Sequence, residues 1–366
     1  MTCSRRRFLA ASALSLAVLP VSKAGAVPST PAPAVDASAE PTEPRGRPMF
    51  RYNNGRFRIL QFTDLHNSYS TKKEYAKAEM TLDRIRLLLE QEKPDLAVIT
   101  GDIIVNGGGK TPVGCELLEG GVAEGWARFT KPFEEAGVPF VTTFGNHDHD
   151  RDKSVSAKEQ LEMIRRSPMS RVFSADESLP GAGNCSIPIL GSDGTDAVRL
   201  WFIDSLSYPK RREVSSCAWI DYSQIQWYRR ESANIETLAG RKVPGLMFFH
   251  IPVPEFNQMR DRSETYGHYG EDADSPELNS GLFTALIERG DVLGVFTGHD
   301  HNNDALLQYK GIVMAYGRKT GYGGYGPHDQ GGRLIELVEG SDGYRTCIVT
   351  PGRTDYPWYW RARPRE

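Results

Sequence analysis

Side chains able to hold a metal ion gather at five points of the chain: Asp64-Leu65-His66, Gly101-Asp102, Gly145-Asn146-His147-Asp148, His250 and Gly298-His299-Asp300-His301. Imidazoles, carboxylates and one amide oxygen, with no thiolate among them, suit borderline cations such as iron, manganese or zinc, and suit copper(I) or calcium poorly. Taken singly, each residue reads as a satisfied core histidine or a capping aspartate. Taken together they read as a site. In extended backbone Asp64 and His66 point to the same side, and so do His299 and His301. Glycines at 101, 145 and 298 permit tight turns and close approach to a bound ion or phosphate.

Each of these points follows a short apolar run. Strands are predicted over 57–62, 96–100 and 138–144, then near 197–203, 245–249, 292–297, 312–316, 333–338 and 344–349. Between the first three, Ala78, Leu82, Ile85 and Leu89 recur at helical spacing, and Val122, Trp126, Phe129 and Phe133 make a second stripe. Lys93-Pro94-Asp95 breaks the first helix and Gly137 stops the second. Further helices are predicted near 222–237 and 276–288. Apolar strands alternating with amphipathic helices indicate an α/β fold with a buried, largely parallel sheet. Ligands of such sheets collect at the carboxyl ends of the strands, where the five points lie. The Gly-rich stretch Gly317–Gly326 reads as a surface loop, and no second linker divides residues 49–366, so a single catalytic domain is expected there.

In order and spacing the set resembles the calcineurin-like metallophosphoesterase family, whose pattern is D-x-H, G-D, G-N-H-[DE], H and G-H-x-H; the resemblance runs over residues 57–316. It implies an α/β/β/α sandwich with largely parallel or mixed sheets and a dinuclear centre. One ion would take Asp64, His66 and His301, the other Asn146, His250 and His299, and Asp102 would bridge them. The implied cofactors are two divalent or trivalent transition metal ions, iron, manganese or zinc. The implied reaction is hydrolysis of phosphate monoesters on a small phosphorylated substrate, by in-line attack of a hydroxide shared between the ions. A phosphodiesterase on the same core is the alternative, and a non-catalytic metal-binding module is the rival from another class. His147 would protonate the leaving group, and Asp148 would hold its ring and raise its pKa.

The resemblance is nearest to a branch related to the purple acid phosphatases. Those enzymes carry an iron-binding tyrosine three residues after the G-D aspartate, where this chain has Val105. Arg318, Lys319, Tyr322, Tyr325 and His328 are candidates for contact with a substrate phosphate or leaving group, against the plainer reading of a solvated basic loop. His149 and His268 read as surface or supporting groups, Asp300 as pointing away from the ions, and Asn302 and Asp304 as partners behind the ligands.

Of 366 residues 39% are hydrophobic and 25% charged, and the net charge is −3, so neither nucleic-acid binding by charge neutralisation nor attraction to an anionic membrane is expected. The chain opens Ser4-Arg5-Arg6-Arg7-Phe8-Leu9, continues with an apolar run to Pro20 and reaches Ala24-Gly25-Ala26. Residues 1–26 thus resemble an export signal of the twin-arginine type, with an ordinary secretory signal as the alternative, and the apolar run is too short to span a bilayer. The expected destination is periplasmic or extracellular, with no stable membrane insertion once the signal is removed. Residues 27–48 form a Pro/Ala-rich linker. Cys115, Cys185, Cys217 and Cys347 would then meet an oxidising compartment, as disulfides or as buried thiols.

Overall fold

Two mixed sheets lie face to face in the computed structural model, which describes residues 48–105, 114–148, 155–211, 213–341 and 343–360. The expected export signal, the linker up to residue 47 and His149 lie outside the described residues. The chain runs β1 (Phe50–Arg51), β2 (Arg56–Phe62), α1 (Lys72–Glu92), β3 (Leu96–Thr100), α2 (Gly121–Ala136), β4 (Phe140–Thr143) and α3 (Ala157–Ile164). It continues with β5 (Cys185–Leu190), β6 (Asp196–Phe202), α4 (Tyr222–Ala239), β7 (Gly245–Phe248), a 3-10 turn (Pro254–Met259), α5 (Leu282–Arg289) and β8 (Val292–Thr297). It closes with β9 (Leu306–Tyr309), β10 (Ile312–Tyr316), β11 (Gly332–Val338), β12 (Tyr344–Thr350) and β13 (Arg353–Tyr359). One sheet has the order β1-β5-β6-β7-β8-β10-β9, the other β13-β12-β11-β2-β3-β4.

The helices form where the apolar stripes require them. α1 starts at Thr71, whose side chain accepts from the Glu74 N–H, and buries Ala78, Leu82, Ile85 and Leu89. α2 buries Val122, Trp126, Phe129 and Phe133 and ends at Gly137 in left-handed backbone. The helix expected over 276–288 is confined to α5, because the chain enters it through left-handed Gly281 at its N-cap. α3, β1, β5, β9 and β13 are additions to the predicted set. α3 carries a capping box of Ser156 and Glu159, a signal present in the sequence.

Alternation along the strands builds the layers. Trp201, Met247, Val295 and Met314 face outward into one core with Ile225 and Tyr228 of α4 and Leu286 of α5. Their neighbours Phe202, Leu246, Phe248, Phe296 and Val313 face inward toward Val98 of the second sheet, whose other face, with Leu60 and Phe62, packs on α1 and α2 in the same cluster. Phe202, Phe248 and Phe296 stack across three strands at 5.4 and 5.2 Å. Burial of each such ring contributes about 1.5–3 kcal/mol. Polar bridges also cross between the sheets: Gln61 Nε2 donates to Thr100 Oγ1 and to the Thr297 carbonyl, and Arg333 Nε to the Tyr316 carbonyl.

β2, β3 and β4 run parallel in one sheet, and β7 and β8 run parallel in the other. Their carboxyl ends meet at one edge of the sandwich. Among the described residues no disulfide joins Cys115, Cys185, Cys217 and Cys347, and no helix is long and apolar enough to cross a membrane.

Candidate metal centre

The extended backbone expected at the doublets does not occur. Asp64, His66, Asp102 and His299 all have positive φ, at 53°, 46°, 53° and 80°. The chain turns sharply off each strand, and the turn, not strand alternation, aims the side chains. Such left-handed backbone costs a non-glycine residue about 1–3 kcal/mol. It is held by cross-links: the His66 N–H donates to the Asp102 carbonyl at 2.8 Å, and the Asn67 N–H to the Ile103 carbonyl at 3.0 Å. Gly101, also left-handed, admits no side chain, since a Cβ there would come within 2.6 Å of His250 Nδ1 and 2.7 Å of the Gly145 nitrogen. At Gly145 and Gly298 a Cβ would strike Asp102 and Thr63. These glycines let neighbouring strand ends close on one another.

The turns bring seven donors of the predicted set together in two groups. Asp64, His66, Asp102 and His301 present ligand atoms within 4.8 Å of one another, and so do Asp102, His250 and His299. Asn146 adds its amide oxygen 3.2 Å from His250 Nε2. His66 Nε2 lies 2.9 Å from His301 Nε2, and His299 Nδ1 lies 3.3 Å from His250 Nε2. Asp102 Oδ2 is 3.3 Å from His66 Nε2 and 3.3 Å from His250 Nε2, so one carboxylate oxygen serves both groups. Donors about 2.0–2.2 Å from a common ion stand about 3 Å apart.

The chemistry of the donors fits metal ions. His250 Nδ1 bonds to the Thr100 carbonyl at 2.7 Å, and His301 Nδ1 to the Tyr325 carbonyl at 3.0 Å. A carbonyl can only accept, so each Nδ1 carries the proton and each Nε2 offers a lone pair inward. The Asn146 amide is fixed likewise, its Nδ2 donating to Tyr208 Oη at 3.2 Å and its oxygen facing His250. Burial pushes His66 down to about 3, which keeps the ring a neutral donor. Burial alone would raise Asp102, yet His250, His66 and His147 around it hold it well below the carboxylate range, ionised.

His147 is half-buried at the rim, its N–H donating to Asp102 Oδ1 at 2.9 Å and its ring edge-on to His66 at 5.1 Å. Asp148, expected to hold that ring, is engaged with the backbone. Its Oδ1 accepts from the Ile103 and Ile104 N–H groups at 2.8 and 2.9 Å, and its Oδ2 from Gly145 N–H at 2.8 Å. Through these three backbone donors Asp148 ties the G-N-H-D turn to the G-D turn. Burial, with the Asp102 charge adding to it, raises Asp148 to about 6.

Three of the five candidates for substrate contact are engaged inside the protein. Arg318 is buried and paired with Asp304, its Nη2 donating to Oδ2. Lys319 is buried too, donating through Nζ to the carbonyls of Gly321 and Gly323, and burial lowers it to about 8. Tyr322 accepts from Arg84 Nη2 at 2.6 Å. The loop that reads as solvated from its glycines is pinned by its own cations. Tyr325 stands at the site, stacked on the His301 ring at 4.1 Å with its hydroxyl donating to Glu271. His328 bonds to the Asn302 carbonyl, and its ring meets His268 edge-on. Asp300 points away from the ligands, accepting from Tyr316 Oη and the Asp274 N–H. Asp304 clamps loops, taking the His268 N–H as well as Arg318, and the Asn302 N–H donates to Glu271. Sequence reasoning missed Tyr208 behind Asn146 and Asp274 behind His299, the latter with Oδ2 at 3.5 Å from Nε2. Both lie in irregular loops, and no spacing marks them.

The sequence profile of the calcineurin-like phosphoesterase family matches residues 57–303. This chain belongs to that family. It is similar to two Arabidopsis thaliana members named probable inactive purple acid phosphatases: number 14, at 32% identity over 77% of this chain and 75% of that one, and number 29, at 30% over 75% and 74%. Phosphatase DCR2 of Saccharomyces cerevisiae is 28% identical over 70% of this chain, which spans 46% of that longer protein. Among solved structures, a dimetal phosphatase from Danio rerio shares the metallophosphoesterase fold with a TM-score of 0.55 at 11% identity, over 83% of this chain and 98% of that one.

Proposed function

We propose that this family member is a dinuclear metal-dependent phosphomonoesterase. The observation that carries the reading is Asp102 Oδ2, equidistant at 3.3 Å from an imidazole of each donor group. Two borderline cations held by Asp64, His66, Asp102 and His301 on one side, and by Asp102, Asn146, His250 and His299 on the other, would supply Lewis-acid charge and acidify water for displacement at phosphorus. The chain's own residues do the rest. Thr100 and Tyr325 carbonyls fix the histidine tautomers, and the backbone N–H of His147 on Asp102 sets that residue at the rim. From there the His147 ring donates a proton to the leaving oxygen, a step worth about 10²–10⁴ in rate.

The phosphatase names of similar proteins, DCR2 of Saccharomyces cerevisiae and the dimetal phosphatase of Danio rerio, favour a monoester. The ligand set carries two carboxylates, Asp64 and Asp102, so a pair of divalent ions with an attacking hydroxide keeps a positive excess for neutralising either ester. Arg318 and Lys319, engaged internally, leave that neutralisation to the ions. Metal-replete protein assayed with a chromogenic monoester and its matching diester should cleave the monoester faster. The reverse ratio assigns a diesterase. Two bound ions with no hydrolysis of either would assign the non-catalytic reading, which the names of the Arabidopsis relatives favour.

Export as a folded protein through the twin-arginine route belongs to the same proposal, and it rests on Ser4-Arg5-Arg6-Arg7-Phe8-Leu9. Changing Arg5 and Arg6 to lysine should hold the precursor inside the cell; normal export would refute the route.

A further inference from the structure

The His299 ring has two nitrogens, and only Nδ1 is turned toward His250. Nε2 lies 3.5 Å from Asp274 Oδ2 and 3.8 Å from Cys217 Sγ. Sγ is in turn 3.8 Å from Asp274 Oδ1 and 3.9 Å from the Asp274 carbonyl oxygen. Zinc bound tetrahedrally, with sulfur at about 2.3 Å and nitrogen and oxygen at about 2.1 Å, sets donor–donor edges of about 3.4–3.6 Å. Sulfur and nitrogen thus stand near two corners of such a polyhedron, and the Asp274 carboxylate faces each of them through a different oxygen.

The three donors come from separate segments, and each segment is pinned. The Ser216 N–H and the Ser215 hydroxyl donate to Glu277 Oε2, which fastens the Cys217 loop to the chain just past Asp274. Asp300 accepts from the Asp274 N–H at 3.1 Å, which fastens that residue to the loop carrying His299. Cys217 is buried, while the Asp274 side chain is 61% exposed, so the group is walled on the thiol side and open on the carboxylate side. A dinuclear phosphoesterase centre has no need of a thiol at this place.

We propose that Cys217, Asp274 and His299 Nε2 form a separate site for one divalent cation of the zinc or cadmium class, joined to the dinuclear centre through the His299 ring. The soft thiolate selects against magnesium and calcium. Binding releases the thiol proton and the Nε2 proton to solvent, leaving a thiolate, a carboxylate and a bridging imidazolate around the ion. The cation is thereby an inhibitor, because it shares the ring that His299 gives to the inner ion; this effect alone rests on the phosphoesterase reading, and the site itself rests on its own three donors.

The test is titration of the metal-replete protein with cadmium, followed by the thiolate-to-cadmium charge-transfer absorption and by elemental analysis. We expect one additional ion per chain, with the band rising in step. Cys217→Ser should abolish the band, and Asp274→Asn should weaken binding at least about tenfold. Cys347→Ser, which removes the half-buried thiol elsewhere, should change neither. A band that survives in Cys217→Ser overturns the proposal, and so does uptake of a further ion with no band, since cadmium would then sit away from the thiolate. Should Cys217→Ser fail to fold, the exposed Asp274→Asn decides alone, and an unchanged affinity overturns the site. None of these readings depends on ester hydrolysis, so failure of the phosphoesterase reading leaves them standing.

Discussion

At the ends of β2 and β3, Asp64 and Asp102 are buried among imidazoles whose inward nitrogens are lone pairs. In the loop 317–331, Arg318 and Lys319 are as deeply buried, yet Arg318 meets the Asp304 carboxylate and Lys319 meets two carbonyls. Both regions bury ionisable groups close to one another, and both are rich in glycine. They differ in whether acceptors face acceptors or face donors. Acceptors turned toward acceptors leave room for one kind of guest, a cation, whereas a cation already matched by its acceptors is structural, however suggestive its position in sequence. Burial of charge is therefore a poor sign of function until the sign and orientation of its neighbours are known.

Substitutions on the two sides of this contrast should behave in opposite ways. The largest effect is expected from Asp102→Ala, which removes the shared oxygen: hydrolysis should fall to background and metal content should drop, measured by assay and elemental analysis on one preparation. Retained turnover would break the assignment. His147→Ala should lower kcat by about 10²–10⁴ with both ions still bound; loss of metal in that variant would make it a ligand instead. In the loop, Arg318→Met leaves Asp304 buried without its partner and should cost about 3–5 kcal/mol in denaturant unfolding. Its KM for ester should stay within error of the wild type; a raised KM at unchanged stability would restore the substrate-contact reading. Tyr322→Phe is the mildest, removing one acceptor from Arg84 for about 1 kcal/mol, with neither kcat nor KM moving.

The ligand set was legible because each member sits beside a strand that reads clearly from its apolar run, and because β2, α1, β3, α2 and β4 follow their periodicities. The rest hid for physical reasons. β5 contains Pro188 and β13 contains Pro357 among exposed residues, so neither shows the uninterrupted pattern of a strand. The turn geometry at Asp64 and Asp102 depends on bonds to neighbouring loops, which a single stretch of chain does not encode. Asp148 looked like a partner for the ring beside it, whereas its three donors come partly from a turn more than forty residues earlier. Arg318 and Asp304 are both visible in the sequence, but only the fold shows that they are each other's counter-ion.

The positive φ angles at Asp64, His66, Asp102 and His299 have an evolutionary consequence. Glycine would relax the backbone at each of these positions, by about 1–2 kcal/mol. Once selection for chemistry lapses, mutations that delete ligands can therefore be fixed with a gain in folding stability, and a lineage slides easily from enzyme to inert scaffold while keeping its shape.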